Sequence, residues 1–410
     1  MKLLVMLNRD ILSQSNGRAA VLIGFLRVFE KLGYTVNLVV LDSIDSRDKY
    51  NEAFSNIRQI TSLPSSFSAL LFGAFNAFFK AQSLNYNLFY RTSTMQALKK
   101  QVEQTQYDYV FVDTVRLFKY VEGLNLINTK VVLDLDDLYS KRYELLQKSQ
   151  SNYSLLGEFS ERFPNFILPL FERLGKLILS REAKYLKQDE INVATQADHV
   201  FLVSKFESEY LTKQINKPVY DFPMLIPATQ QRWQAPSAVN GQTKALKLVM
   251  VGSPKLQQNY ITIKNADRLL NKGILGQSEL HVIGNIKGFD TSQFSSKIKF
   301  LGFVDDLNAK VCEFDCYFSP IVSGTGIKTK NVEASILGMP ILTTEVGVEG
   351  TNLEKYCYVQ KSWDDFEFTN FLEIYLSQHK QKQQMQIDYV NQNFTLDALL
   401  CKWKLATEIN

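Results

Sequence analysis

The feature that most restricts how this chain can fold is a repeating pattern: a short unbroken apolar run, a stop at glycine or aspartate, then a helical stretch. Residues 2–7 form the first run, closed by the polar loop 8–18. A helical pattern over 19–32 follows and ends at Gly33, the residue type that most often caps a helix C-terminus. Further apolar runs lie at 35–41 (closed by Asp42), 109–112, 130–135 and 199–203. Runs without polar alternation mark strands buried on both faces, hence parallel sheets. Strand–helix–strand repetition predicts a doubly wound α/β domain.

The pattern breaks at about 222–246, where three prolines and a glycine sit among polar residues, and this stretch is read as a linker. It then restarts. Runs at 246–251, 279–283 and 297–300 lead into Gly252, Gly284 and Gly302, and 315–320 leads into the loop 321–326. Helical patterns fill 261–270 and 328–337, the latter ending at Gly338 before a run at 340–343. A terminal helical stretch is expected over about 369–406. The fold class expected is therefore α/β, with two doubly wound Rossmann-like domains, 1–225 and 246–410, facing a central cleft. A length of 410 residues gives each half enough chain for its own core. Ligands of such sheets bind beyond the carboxyl ends of the strands. That directs attention to the loops 8–18, 134–142, 252–259 and 320–328.

Composition removes several function classes. A net charge of +4 with no base-reading motif gives no case for nucleic acid. Cys312 and Cys316 have no second pair and no neighbouring histidine, so the four cysteines are expected to be reduced thiols rather than zinc ligands. No stretch reaches the roughly 20 apolar residues that span a bilayer, and the opening run reads as a strand rather than a secretion signal. A cytoplasmic protein is expected. Two stretches suggest its inner-membrane face: the apolar 67–79, and 173–187 with Arg173, Lys176, Arg181, Lys184 and Lys187. Either would suit peripheral contact with anionic headgroups or a lipid-linked acceptor. A buried core helix and a solvated basic face are the plainer readings of the two.

The richest segment is 319–350, SPIVSGTGIKTKNVEASILGMPILTTEVGVEG. It reads as a strand, a glycine loop and a helix N-terminus. Gly324 and Gly326 let the backbone approach a ligand, the first N–H groups of the helix lack intrahelical partners, and Lys328 and Lys330 add charge. Such an assembly suits a diphosphate. Glu333, about a turn and a half along the helix, is spaced to accept hydrogen bonds from ribose hydroxyls. Tight turns that bind nothing share the glycine pattern.

The sequence from Gly324 to Ala334, GTGIKTKNVEA, with Gly338-Met339-Pro340 after it, resembles the retaining GT-B glycosyltransferases of the large family 4, or group 1, class. KFLGFVDDL at 299–307, VMVGS at 249–253 and TTEVGVEG at 343–350 are similar to the same family. The likeness is specific over about 245–352. It is weaker in the first half, through 1–33 and VVLDLDDLYSKRY at 131–143. The resemblance implies an acceptor-binding N-terminal domain and a nucleotide-sugar-binding C-terminal domain. It implies a donor site of Gly252, Ser253, Lys255, Gly324, Thr325, Gly326, Ile327, Lys328 and Glu333, with the backbone of Phe303 and Val304 at the base. Glu333 would hold the ribose and Lys328 would meet the charge of the leaving phosphate. On the acceptor side it implies Asn16, Gly17 and Arg18.

Asp136 and Asp137 stand where relatives often have a histidine before an aspartate. Asp136 is thus either a group facing the reacting sugar or a strand-end helix cap, and Asp137 is assigned to the acceptor. No cofactor is implied beyond the nucleoside-diphosphate sugar as co-substrate. The Asp134-Leu135-Asp136 pattern would hold manganese in the other major glycosyltransferase fold, but the C-terminal segment opposes that fold. Two departures stand out. Thr325 replaces a glutamate common in the family, which leaves the donor sugar open. Asn259 stands near where a second phosphate-binding basic residue is usual. A catalytically inactive scaffold and a sugar-nucleotide epimerase, which shares the architecture, are the other readings.

Overall fold

The computed structural model describes residues 1–13, 17–63, 77, 79–148, 175–235, 245–324 and 326–408. The chain divides into two compact units, Met1–Met224 with Leu399–Asn410, and Leu225–Ala398.

The first unit holds a seven-stranded sheet: β1 (Lys2–Leu7), β2 (Thr35–Val40), β3 (Ile57–Ser62), β4 (Tyr109–Asp113), β5 (Lys130–Asp134), β6 (His199–Leu202) and β7 (Tyr220–Asp221). Its helices are α1 (Gly17–Lys31), α2 (Arg47–Ala53), α3 (Leu84–Asn87), α4 (Thr92–Gln104), α5 (Val115–Glu122), α6 (Tyr139–Lys148), α7 (Gly175–Gln196) and α8 (Lys205–Ile215). The strand order is 3-2-1-4-5-6-7 and each pairing is parallel. The order reverses between β1 and β4, which opens a crevice at their carboxyl ends. β1 is buried from Leu3 to Leu7, which explains its lack of polar alternation. α1 ends as its glycine requires. Gly33 adopts φ +68°, the Tyr34 N–H donates to the Phe29 carbonyl (2.9 Å), and the Gly33 N–H donates to that of Glu30 (2.9 Å).

The second unit holds a six-stranded parallel sheet: β8 (Lys247–Val251), β9 (Glu279–Ile283), β10 (Ile298–Gly302), β11 (Cys316–Ser319), β12 (Ile341–Thr344) and β13 (Tyr358–Gln360). Its order, 10-9-8-11-12-13, reverses between β8 and β11. Around it lie α9 (Gln257–Asn271), α10 (Leu307–Val311), α11 (Thr329–Ile336), α12 (Glu345–Val348) and α13 (Phe368–Phe394).

The terminal stretch corrects an expectation. It is two helices, α13 and α14 (Leu396–Thr407), broken at Thr395, whose Oγ1 bonds back to the Asn391 carbonyl at 2.7 Å. From Leu399 onward α14 belongs to the first unit, not to the C-terminal one. The cause is aromatic: Trp403 is fully buried against Phe29 (4.9 Å between ring centroids), Phe201 (5.7 Å) and Tyr109 (6.0 Å). The four cysteines are free, with Cys316 and Cys357 buried.

Candidate active site

The glycine loop of the second unit lies at the reversal between β8 and β11, where a doubly wound sheet offers its ligand crevice. Gly324 has φ +130° and Gly326 φ +70°, backbone that side chains with a Cβ rarely adopt. Lys328 is the N-cap of α11, and its ammonium folds back to donate to the Gly326 carbonyl (2.7 Å) and to that of Gly324 (3.3 Å). A positive charge therefore sits within the loop, beside the partly positive helix start. Glu333, on the half-exposed side of α11, pairs with Lys330 at 2.7 and 3.0 Å. Thr325 lies outside the described residues.

Three strand-end glycines build the floor beside this loop. The Gly252 N–H donates to the Ile283 carbonyl (2.8 Å) and the Gly284 N–H to the Gly302 carbonyl (2.9 Å). A Cβ on Gly284 would come within 2.6 Å of the Gly252 backbone. Ser253 Oγ donates to the Asn285 carbonyl (2.7 Å) and Asn259 Nδ2 to the Ser253 carbonyl (3.0 Å). Asn259, near where the resemblance leads one to expect a second basic residue, thus holds the loop's shape. Lys255 is exposed on the same loop, and Phe303, just past β10, is 84% exposed. Sequence reasoning missed Gln258, whose amide lies 3.4 Å from where a Gly324 Cβ would stand.

It also missed Asn331. This buried residue donates to the Gly347 carbonyl (2.7 Å) and accepts from Ser319 Oγ (2.8 Å), and the same hydroxyl meets Thr343 Oγ1 at 3.0 Å. α11 is thereby bolted to the ends of β11 and β12. The only signal for it is a polar residue on the apolar face of a helix.

In the first unit the strand reversal is occupied by charge. Arg18, the second residue of α1, places its two terminal nitrogens 2.5 Å from Asp113 Oδ1 and 2.6 Å from Asp134 Oδ2, with Asp136 Oδ1 at 3.4 Å. The Asn8 N–H donates to the other Asp113 oxygen (3.0 Å), and the Asp136 N–H to the other Asp134 oxygen (3.2 Å). Asp136 carries φ +67°. Asp113 and Asp134 are fully buried, whereas the Asp136 side chain is 18% exposed.

Burial works against every carboxylate here. At Asp113, Arg18 and Arg9 outweigh burial and hold the carboxyl below its usual range. At Asp134, burial prevails over Arg18 and pushes the carboxyl up to about 6. Asp136 is raised too, first by burial, with Arg18 opposing and Asp137 reinforcing.

The acceptor-side expectations fare differently. Asn16 lies outside the described residues, and Gly17 opens α1. Arg18 does not project outward: its side chain is 6% exposed among the carboxylates. Asp137 is likewise buried and turned inward, paired with Arg142 Nε (3.0 Å) and Nη2. Among the described residues no group of three or more His, Cys, Asp or Glu is arranged to hold a metal ion.

Of the two stretches proposed for membrane contact, 67–76 and 78 and the start of the second, 173–174, lie outside the described residues. Arg181 is committed to the Ala77 carbonyl (2.6 Å), while Lys184, Lys187 and Phe79 are exposed. No helix among the described residues is long and apolar enough to cross a membrane.

Residues 245–366 match the family model described as glycosyl transferases group 1. Among solved structures, the whole chain is similar to the lipopolysaccharide outer core galactosyltransferase WaaB, with a TM-score of 0.62, 12% identity, and 100% and 99% of the two chains covered. It is similar to Alr3699/HepE of Anabaena in complex with UDP, with a TM-score of 0.61, 11% identity and complete coverage of both chains. It is similar also to TarM, with a TM-score of 0.60, 9% identity, and 99% and 98% covered. No curated protein sequence matches. Residues 245–366 are thus a group 1 glycosyl transferase domain, and the chain carrying it is a glycosyltransferase with the GT-B fold.

Proposed function

We propose that this chain moves a sugar from a uridine diphosphate sugar to a glycan or lipid-linked acceptor, with retention of configuration and without a metal ion, in surface-polysaccharide assembly. The observation that carries the reading is the glycine loop and α11 start at the β8/β11 reversal, with Lys328 folded into the loop and Glu333 beyond it. Breaking the bond from sugar to diphosphate leaves negative charge on the outer phosphate. Donors fixed where that charge grows lower the barrier most. The α11 N–H groups and Lys328 serve that role, Glu333 takes the ribose hydroxyls, and the backbone at Phe303 and Val304 meets the base. Uridine is favoured because similar structures hold UDP and UDP-glucose. A carbohydrate acceptor is favoured because WaaB is named for lipopolysaccharide. Asp136, the partly exposed member of its cluster, acts on the reacting sugar or the acceptor hydroxyl.

The first test is thermal denaturation with UDP, GDP, ADP, CMP and dTDP, with and without magnesium. A ligand that binds only the folded state raises the melting temperature. The expected result is a shift with UDP that magnesium does not alter and that Glu333→Ala abolishes. A shift with none of the five would turn the reading to an inactive scaffold. Contact with the membrane through exposed Phe79, Lys184 and Lys187 belongs to the same proposal, and flotation with anionic vesicles tests it separately.

A further inference from the structure

We infer that Arg18 is a positioning residue for sugar transfer, holding Asp136 in place from behind without itself touching donor or acceptor. The inference rests on the reading of Asp136 as the acting carboxylate. Its grounds are the shape of the hydrogen-bond network. Each of the two fully buried aspartates uses both oxygens. Asp113 takes Arg18 with one and the Asn8 N–H with the other. Asp134 takes Arg18 with one and the Asp136 N–H with the other. The guanidinium therefore reaches the Asp136 backbone through Asp134, and reaches the Asp136 carboxylate directly at 3.4 Å. No lysine has the planar fork that spans two carboxylates in this way.

Backbone conformation supports the same role. Asp136 has φ +67°, and Thr114, the residue after Asp113, has φ +67° with ψ 168°. Left-handed backbone at a residue with a Cβ persists only where the surroundings impose it. Both positions directly follow or closely trail the carboxylates that Arg18 grips, at the carboxyl ends of the strands flanking or adjoining the reversal. The grip joins α1 to β4 and β5, whose aspartates lie 95 and 116 residues further along the chain.

Charge completes the case. The groups around Asp136 are Arg18 from α1, Asp113 from β4, Asp134 from β5, its neighbour Asp137, Tyr139 and Arg142 from α6, and Glu207 from α8. Of these only Arg18 and Arg142 are cations, and Arg142 is engaged by Asp137. Removing the Arg18 charge would leave only Arg142, already paired with Asp137, against the acids around Asp136. Its carboxylate would then ionise only at higher pH, and the acidic limb of a pH–rate profile would move upward.

The experiment uses the full chain with Arg18→Met, Arg18→Lys and Asp136→Asn. Turnover is read as UDP released from UDP-glucose, UDP-galactose and UDP-N-acetylglucosamine between pH 5 and 9. Retention of the UDP-induced thermal shift certifies the donor unit of each variant. Asp136→Asn is expected to lower kcat at least a hundredfold; wild-type turnover there would defeat the reading of Asp136 and this inference with it. Given that loss, Arg18→Met is expected to lower kcat at least tenfold with donor KM unchanged, and to move the acidic limb up by about one pH unit or more. Arg18→Lys is expected to keep the limb near its wild-type place while kcat still falls, because the charge remains and the fork does not. An unmoved limb in Arg18→Met, or a raised donor KM as its main defect, overturns the role. If Arg18→Met does not fold, Arg18→Lys decides: wild-type kcat in that variant overturns the inference.

Discussion

Asn331 Nδ2 donates to the main-chain carbonyl of Gly347 across 2.7 Å, and this bond joins the helix that bears Glu333 to α12, just beyond β12. The two residues Asn331 and Glu333 lie on opposite sides of α11: one is buried in the Ser319–Thr343 network, the other is half-exposed and paired with Lys330. Asn331→Ala would leave the Gly347 carbonyl and the Ser319 hydroxyl without this buried partner. Each such loss costs about 1–3 kcal/mol. Urea denaturation should show that loss, together with a weaker UDP-induced thermal shift. Lys330→Ala removes only a half-exposed ion pair, worth less than about 1 kcal/mol. It should leave stability nearly unchanged. Equal stability of Asn331→Ala and wild type would deny the network its structural role.

Gly284 is held tightly by its neighbours. An added Cβ would stand 2.6 Å from the Gly252 carbonyl carbon and oxygen, which are backbone and have no rotamer to escape into. Gly284→Ala must therefore push the β8–α9 loop outward. Overpacking of this kind costs about 1–3 kcal/mol, and the displaced loop carries Ser253 and Lys255. Reduced thermal stability with loss of the UDP response is expected. Gly288→Ala is the control, since its Cβ would meet nothing within 4 Å while its φ of +73° imposes only local strain. It should retain the UDP response.

Much of the architecture is legible in the sequence because central parallel strands are almost wholly apolar and stop at glycine or aspartate, as β4 does at Asp113, β5 at Asp134 and β8 before Gly252. Of the edge strands, β10 is legible by its run into Gly302, but β3, β7 and β13 are not, for the opposite reason. β3 reads IRQITS with mostly exposed or half-exposed positions, and β7 and β13 are two and three residues long. The break at Thr395 also leaves no mark, since no proline or glycine accompanies it. At the candidate site, the loop glycines and Glu333 are visible through their spacing. The fate of Arg18 is not: its partners Asp113 and Asp134 lie 95 and 116 residues away, and only the sheet order brings them together.

The return of α14 makes the stability of the first unit depend on the last residues of the chain. Trp403 fills the space among Phe25, Phe29, Tyr109 and Phe201. Emptying such a site costs about 3–5 kcal/mol. Trp403→Ala should thus lower the unfolding midpoint of the first unit and open it to limited proteolysis within 1–224. Truncation after Ala398 should do so more severely, because Lys402, which pairs with Asp221 at 2.5 Å, is lost as well. The UDP-induced shift of the second unit should persist in both. Proteolytic patterns identical to wild type would show that α14 adds nothing to that core.

The first unit should also carry a pH dependence set by acids behind β5. Burial pushes Glu190 up to about 8 from 4.5, against its two hydrogen bonds to Ser140, with Asp137 and Glu207 adding to the rise. Glu207 is pushed up to about 7, again mainly by burial. Between about pH 4.5 and 8 the unfolded chain has released the Glu190 proton while the folded chain still holds it. The folded state then binds more protons, so stability falls as pH rises through that window and levels off above it. Glu190→Gln keeps the shape and one oxygen acceptor for Ser140 but cannot ionise. Urea midpoints of the first unit at pH 5 and pH 8.5 should therefore differ less in Glu190→Gln than in wild type, with the variant gaining most at pH 8.5. Parallel pH dependence in the two proteins would mean that Glu190 titrates alike in the folded and unfolded chain.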